Sequence, residues 1–382
     1  RICREMGWTR RGLLAAGGST LAGCSSAPET GSVRRGRRDG NETEGTAAGG
    51  QRENETRIGF VGDVMLGRSV NERWSGRDPA GVWGSTLERL RGLDGLVLNL
   101  ECCISTGGRK WPDKVYYFRA NPAFAVPALQ AAEASVASLA NNHVLDFGER
   151  ALRDTRAHLA DADVAHAGAG PDREAAFEPT ITDLGGLTVA TIALTDRYET
   201  YAATESGAGT AHVPLDPSVS GTRDRVEATL ERARNEDPDL VVASLHWGPN
   251  WETEPGEEQQ SFARWLVERG VDVVHGHSAH VLQGVEVHQG RPIVYDAGDF
   301  VDDYVDKEKL HNKRSALFEL VVSEGSLSEL RVVPTEIEDE TARMAGETAT
   351  EWARETMQER SEPFGTAVER ADGGLSVPLG GE

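Results

Sequence analysis

The chain reads as an α/β protein with a largely parallel or mixed sheet buried on both faces, and three observations predict it. Short apolar runs at residues 57–64, 95–100, 134–140, 187–194, 240–246, 271–276 and 292–297 alternate with helical stretches near 85–91, 149–160, 223–235 and 257–269. Strand followed by helix, repeated, is how parallel strands are joined. Runs without strict apolar–polar alternation suit strands covered on both sides. Setting aside the first 56 residues leaves 326, large for one domain and short for two with separate cores. A single main domain over 57–340 follows. Two closely spaced runs within 315–333 predict an added antiparallel part. An amphipathic segment at 341–358 and a hairpin-like tail at 364–379 predict that residues 341–382 complete the same domain.

The N-terminus carries a different signal. Paired Arg10 and Arg11 precede a short, weakly apolar run that ends Leu21-Ala22-Gly23-Cys24. Together they match a twin-arginine export signal and a lipoprotein box over residues 1–24, with Cys24 as the lipidated residue. That run is too short to span a bilayer as a stable helix. Residues 25–56 are rich in Gly, Ser, Thr, Glu and Arg without apolar periodicity, which predicts a disordered tether. The expected location is therefore the outer face of the cell membrane, held there by the lipid anchor. One acyl chain binds only marginally, so a second contact is expected as well.

Composition narrows the partners. Sixty-two acidic against forty basic residues give a net charge of −22, which excludes nonspecific nucleic-acid binding. Only five basic residues are lysines: Lys110, Lys114, Lys307, Lys309 and Lys313. A carboxylate coat almost free of lysine suits a halophilic protein, in which concentrated salt screens the repulsion. The same coat predicts that a polyanion would be repelled unless cations bridge it. Cys102 and Cys103 are adjacent and point to opposite faces, so no disulfide framework is expected.

The positions of the polar residues carry the functional signal. Asp63 ends the first apolar run, Asn99 and Glu101 the second, and Asn141, Asn142, His143 and Asp146 the third. His246 ends a later run, and His275, His277 and His280 follow the next. In open α/β sheets ligands gather beyond the carboxyl ends of strands, so these groups are expected to converge. Each has a plain structural alternative. Asp63 suits a turn or cap, the asparagines suit Asx-turns, and Asp146 suits a helix N-cap before 147–159 as well as it suits orienting His143. Mixed carboxylate, amide and imidazole donors without a thiolate pair suit one or two divalent cations such as Mn²⁺, Zn²⁺ or Fe²⁺. Trp247, Trp251 and Tyr295 are expected to pack in the core in preference to walling a cleft. Asp299, Asp302, Asp303 and Asp306 read as a solvated loop in preference to a cation site.

The series GDVMLGR, NLE, NNHVLDFG, HWGPNW, GHSAHVLQGVE and YDAGDF, in that order, resembles the CapA family of capsule or poly-γ-glutamate synthesis proteins. The family in turn resembles calcineurin-like metallophosphoesterases, which implies two β-sheets sandwiched between helices. By that resemblance Asp63, Glu101, Asn142, His246, His277 and His280 are metal ligands, with Glu101 in the bridging position. By the same resemblance His143 matches the histidine that protonates a leaving group, with Asp146 placed three residues on to orient it or to cap the following helix. Two departures stand out: Met65 occupies a position where a histidine is usual, and His277 and His280 are separated by two residues instead of one. Three readings follow. The first is a surface-anchored factor in making or exporting an anionic polymer, working with envelope synthesis subunits. The second is a metal-dependent hydrolase of phosphoesters or polymer amide bonds, and the third a non-catalytic envelope module.

Overall fold

The computed structural model describes residues 55–379, so the export signal, Cys24 and the tether up to residue 54 lie outside the described residues. Two sheets form the frame. In the larger, the strand Glu55–Val64 is central: it runs parallel to Gly95–Leu100 on one side and antiparallel to Arg314–Ser323 on the other. The parallel side continues through Val136–Ser138 and Ala165–Ala167. The antiparallel side continues through Ser326–Glu338, Gly374–Pro378 and Glu369–Ala371. In the smaller sheet, Leu240–His246 lies parallel to both Leu187–Thr195 and Val273–His277. Arg291–Val294 extends it in parallel, and the edges are antiparallel.

Side-chain alternation sets the layers. Ile58, Phe60, Val97 and Val136 of the larger sheet pack with Val189, Val242, Val273 and Val294 of the smaller one, forming a core between the sheets. The opposite face of the larger sheet, through Leu96, Leu98 and Leu100, packs on Phe124 and Leu129 of helix Pro122–Ala131 and on Leu152 and Leu159 of helix Gly148–Asp161. The outer face of the smaller sheet, through Ile192, Ala243 and Leu245, packs on Val226 and Leu230 of helix Ser220–Asn235 and on Phe262 and Leu266 of helix Glu257–Val267. This is an α/β two-sheet sandwich flanked by helices, as the sequence and the resemblance imply. Among the described residues no helix is long and apolar enough to cross a membrane.

Two expectations need correction. Residues 341–358 do not form one amphipathic helix: Thr341–Met344 is a strand paired with Ser326–Glu338, and the helix runs Glu347–Ser361. Strand pairing and burial of Thr341 and Ala342 override the helical periodicity there. The acidic stretch 299–306 is not a solvated loop either. Asp299 and Asp302 are fully buried, and Asp303 accepts hydrogen bonds from the backbone N–H and hydroxyl of Ser69; only Asp306 faces solvent. Lys313 pairs with Asp302, so the charge that composition assigned to the coat is partly internal.

Candidate metal centre

The parallel strands of both sheets end at one place. Asp63 leaves the central strand at an irregularity, where the register against Gly95–Leu100 shifts between Val61 and Asp63. Bulges of this kind re-aim a side chain. Gly62 makes the bulge possible, because a Cβ there would lie 2.0 Å from the Gly298 carbonyl oxygen, which accepts the Asp63 N–H. Gly62→Ala should therefore cost about 1–3 kcal/mol of stability. It should also lower metal retention, measured by chemical denaturation and elemental analysis together; an unchanged variant would remove the bulge from the account.

On the smaller sheet His246 and His277 are direct cross-strand partners. Their tautomers follow from the hydrogen bonds. His275 Nε2 lies 3.0 Å from the Val61 carbonyl, which can only accept, so Nε2 carries the proton and Nδ1 accepts from Ser244 Oγ at 3.3 Å. The Ser244 oxygen then accepts from His277 Nε2 at 3.0 Å, which leaves the His277 Nδ1 lone pair free. His246 Nε2 donates to Asn142 Oδ1 at 2.9 Å, and its Nδ1 accepts from the Asn99 amide at 3.2 Å. The two Nδ1 atoms therefore face each other at 3.0 Å, both as lone-pair donors, with Asp63 Oδ1 at 3.6 and 3.8 Å. Such an arrangement repels itself without a cation. Burial also holds both rings well below the ordinary histidine pKa, hence neutral as ligands must be.

A second group shares Asp63. Its other oxygen lies 3.2 Å from His280 Nδ1, which also meets Asp299 Oδ1 at 2.8 Å. Glu101 completes this group and is fully buried, yet among the described residues neither of its oxygens has a hydrogen-bond partner. Burial, then the nearby Asp63 charge, pushes the Glu101 carboxyl well above its usual range. For His280 burial is outweighed by Asp299 and Asp63, which hold the ring well above its ordinary pKa. Asp63 stays below its usual value, because the His280 hydrogen bond and charge overcome burial. Buried carboxylates and imidazoles with unpaired oxygens and facing lone pairs fit a divalent cation. The groups are Asp63, His246 and His277, and Asp63, Glu101 and His280.

The structure thus brings Asp63, Glu101, His246, His277 and His280 together, with Asn142 beside His246. Asp63 is common to both groups, and Glu101 Oε1 also lies 3.5 Å from His246 Nε2 of the other group. His143 lies at the edge, with Nε2 at 3.8 Å from Glu101 and Nδ1 at 2.7 Å from Asp146. Asp146 is not the helix cap: the cap residue of Gly148–Asp161 is Phe147, and no side chain caps that end. Asp146 instead accepts from Lys114 Nζ at 2.5 Å, the Phe118 N–H at 2.7 Å and the Tyr201 hydroxyl at 3.2 Å. Burial lowers the His143 pKa against the pull of Asp146. Trp247 and Tyr295 are core residues, whereas Trp251 is half-buried and packs on His280 with ring centroids 5.2 Å apart. Asn99, Lys114, Asp299 and Tyr304 belong to the site without having been assigned to it by the sequence. Asn99 had a signal as a polar strand end, and Asp299 had one as part of YDAGDF and of the acidic stretch read as solvated in preference to a cation site.

With this geometry in view, the likenesses to known proteins become specific. The family model described as "Bacterial capsule synthesis protein PGA_cap" matches residues 57–304. A Mycobacterium tuberculosis protein described as "Probable polyglutamine synthesis accessory protein" is 34% identical over 362 residues, covering 83% of this chain and 94% of its own. The "Capsule biosynthesis protein CapA" of Bacillus anthracis is 30% identical over 305 residues, covering 78% of this chain and 71% of its own. The "PGA biosynthesis protein CapA" of Bacillus subtilis is 27% identical over 284 residues, covering 74% and 72%. Among solved structures, the protein TT1561 of Thermus thermophilus is similar with a TM-score of 0.39 and 12% identity, over 70% of this chain and 98% of that one.

Proposed function

The chain belongs to the bacterial capsule synthesis family PGA_cap, and on that premise we propose that it serves the making or export of an anionic capsule polymer of the polyglutamate type, at the outer face of the cell membrane. The observation that carries a cation-dependent role is Glu101, a buried carboxylate beside Asp63 and His280 with both oxygens unpartnered among the described residues. The cation-holding residues in this reading are Asp63, Glu101, Asn142, His246, His277 and His280. A divalent ion bound there supplies positive charge that draws in oxyanions and polarises an acyl or phosphoryl oxygen. Anchoring follows from Cys24 and export from Arg10 and Arg11, both outside the described residues; envelope synthesis subunits are the expected partners.

A second reading, hydrolysis of phosphoesters or polymer amide bonds, is favoured by one observation. His143 presents Nε2 toward the cation groups while Asp146, itself held by Lys114, fixes Nδ1. In that reading His143 moves a proton at Nε2 and Asp146 positions the ring. The test of the first reading is complementation. A strain lacking the gene should lose cell-surface anionic polymer, regain it with the wild type, and not regain it with Asp63→Asn. Full restoration by that variant would leave only a non-catalytic envelope module. Replacing Arg10 and Arg11 by Lys should keep the protein inside the cell.

A further inference from the structure

The five lysines of this arginine-rich chain fall in two segments, 110–114 and 307–313. Far apart in sequence, the loops that carry them meet over the candidate metal centre, where Tyr116 packs edge-on against Tyr304 at 4.9 Å. Tyr304 stacks on Trp251 with ring centroids 5.5 Å apart and planes 12° apart, and both rings pack on His280. A continuous aromatic wall therefore rises from the centre to the surface, where Tyr116 is 37% exposed. Cations lie on its faces. Arg68 sits 5.3 Å from the Tyr116 centroid, and Lys307 sits 5.5 Å from that of Trp251. Asp303 takes the Arg68 Nε at 3.5 Å, while its buried Nη1 has no hydrogen-bond partner among the described residues. Lys307 is exposed and makes no ion pair among them. The same loops carry Asp113, Asp306 and Glu308 on the surface, so they are not uniformly positive. The charges that lie over the ring faces of Tyr116 and Trp251 are Arg68 and Lys307.

We propose that this wall, with Arg68 and Lys307, is the binding strip for an extended polycarboxylate chain, which it leads to the metal centre. Its methylene stretches lie on Tyr116, Tyr304 and Trp251, and its carboxylates meet the two cations. The inference rests on the anionic-polymer reading and names where that polymer lies. A lone phosphate needs no aromatic strip of this length, whereas a chain that alternates apolar and anionic groups uses both parts. The strip also changes what the net charge of −22 implies, because it sets two cations on the aromatic wall within an acidic coat.

The test is binding of poly-γ-glutamate oligomers to the full chain, followed by tryptophan fluorescence and by calorimetry with Mn²⁺ present. Wild type should bind, and binding should weaken as salt rises. Lys307→Glu and Arg68→Gln should each weaken it about tenfold or more, with metal content and unfolding midpoint unchanged. Arg225→Glu, on the distant helix Ser220–Asn235, should leave it unchanged. If wild type binds and Lys307→Glu binds equally well, the strip is overturned while the polymer reading stands. If wild type binds only free phosphate and no oligomer, the polymer reading fails and the strip with it.

Discussion

Asp63→Asn should empty both cation groups at once. Its two oxygens face different partners, one toward His246 and His277 and the other toward His280. Among the described residues no other carboxylate belongs to both groups. Loss of one shared ligand charge should weaken cation binding at least about a hundredfold, roughly 3 kcal/mol. Glu101→Gln or His246→Asn touches only one group and should remove no more than that group's share of metal. Elemental analysis after chelator-free purification reads the contrast directly. The Asn99 amide and the Ser278 N–H donate to different oxygens of Asp63, and the single carbonyl oxygen of asparagine keeps one of these two bonds; losing the other costs about 1 kcal/mol, so the fold should survive. Wild-type metal content in Asp63→Asn would sink the shared-ligand geometry. Equal losses in all three variants would mean a single site instead of two overlapping ones.

The sequence shows some of this centre and hides the rest, for identifiable reasons. Asp63, His246 and His277 stand at the ends of apolar strands, where parallel-sheet geometry makes convergence predictable. Lys114 arrives from an irregular loop between short strands, and no periodicity marks it. Asp299 was hidden by composition, since a run of aspartates in an acidic chain reads as solvent-facing until pairing with His280 buries it. Helix Pro122–Ala131 escaped because Pro127 sits within it and breaks the helical signal, though Pro122 at its first turn and the Asn121 side-chain cap are both favourable. The edge strand Thr180–Leu184 escaped because it is only partly buried and mostly polar. The place of Asp63 in both cation groups was beyond any sequence reading. It depends on the bulge after Gly62 and on how the two sheets meet.

Glu101→Gln should move stability and metal binding in opposite directions. The Glu101 carboxyl is buried without a hydrogen-bond partner among the described residues, and burial pushes its pKa well above the ordinary 4.5. In the metal-free protein the folded state therefore holds a proton that the unfolded chain releases above about that pH. Stability tied to Glu101 is fully present below pH 4.5 and is lost as pH rises toward the folded pKa. Glutamine has the same shape and nothing to titrate, so the metal-free variant should unfold a few degrees higher than wild type at neutral pH and lack that slope. A bound cation reverses the order. It supplies the missing countercharge to ionised Glu101, so added Mn²⁺ should raise the wild-type unfolding midpoint more than that of the variant. Two melting series, with chelator and with Mn²⁺, decide the matter. If glutamine destabilises the metal-free protein, Glu101 is a structural residue whose partner lies elsewhere. If it stabilises that form and blunts the metal response, a carboxylate kept at a cost to the fold is kept for the ion.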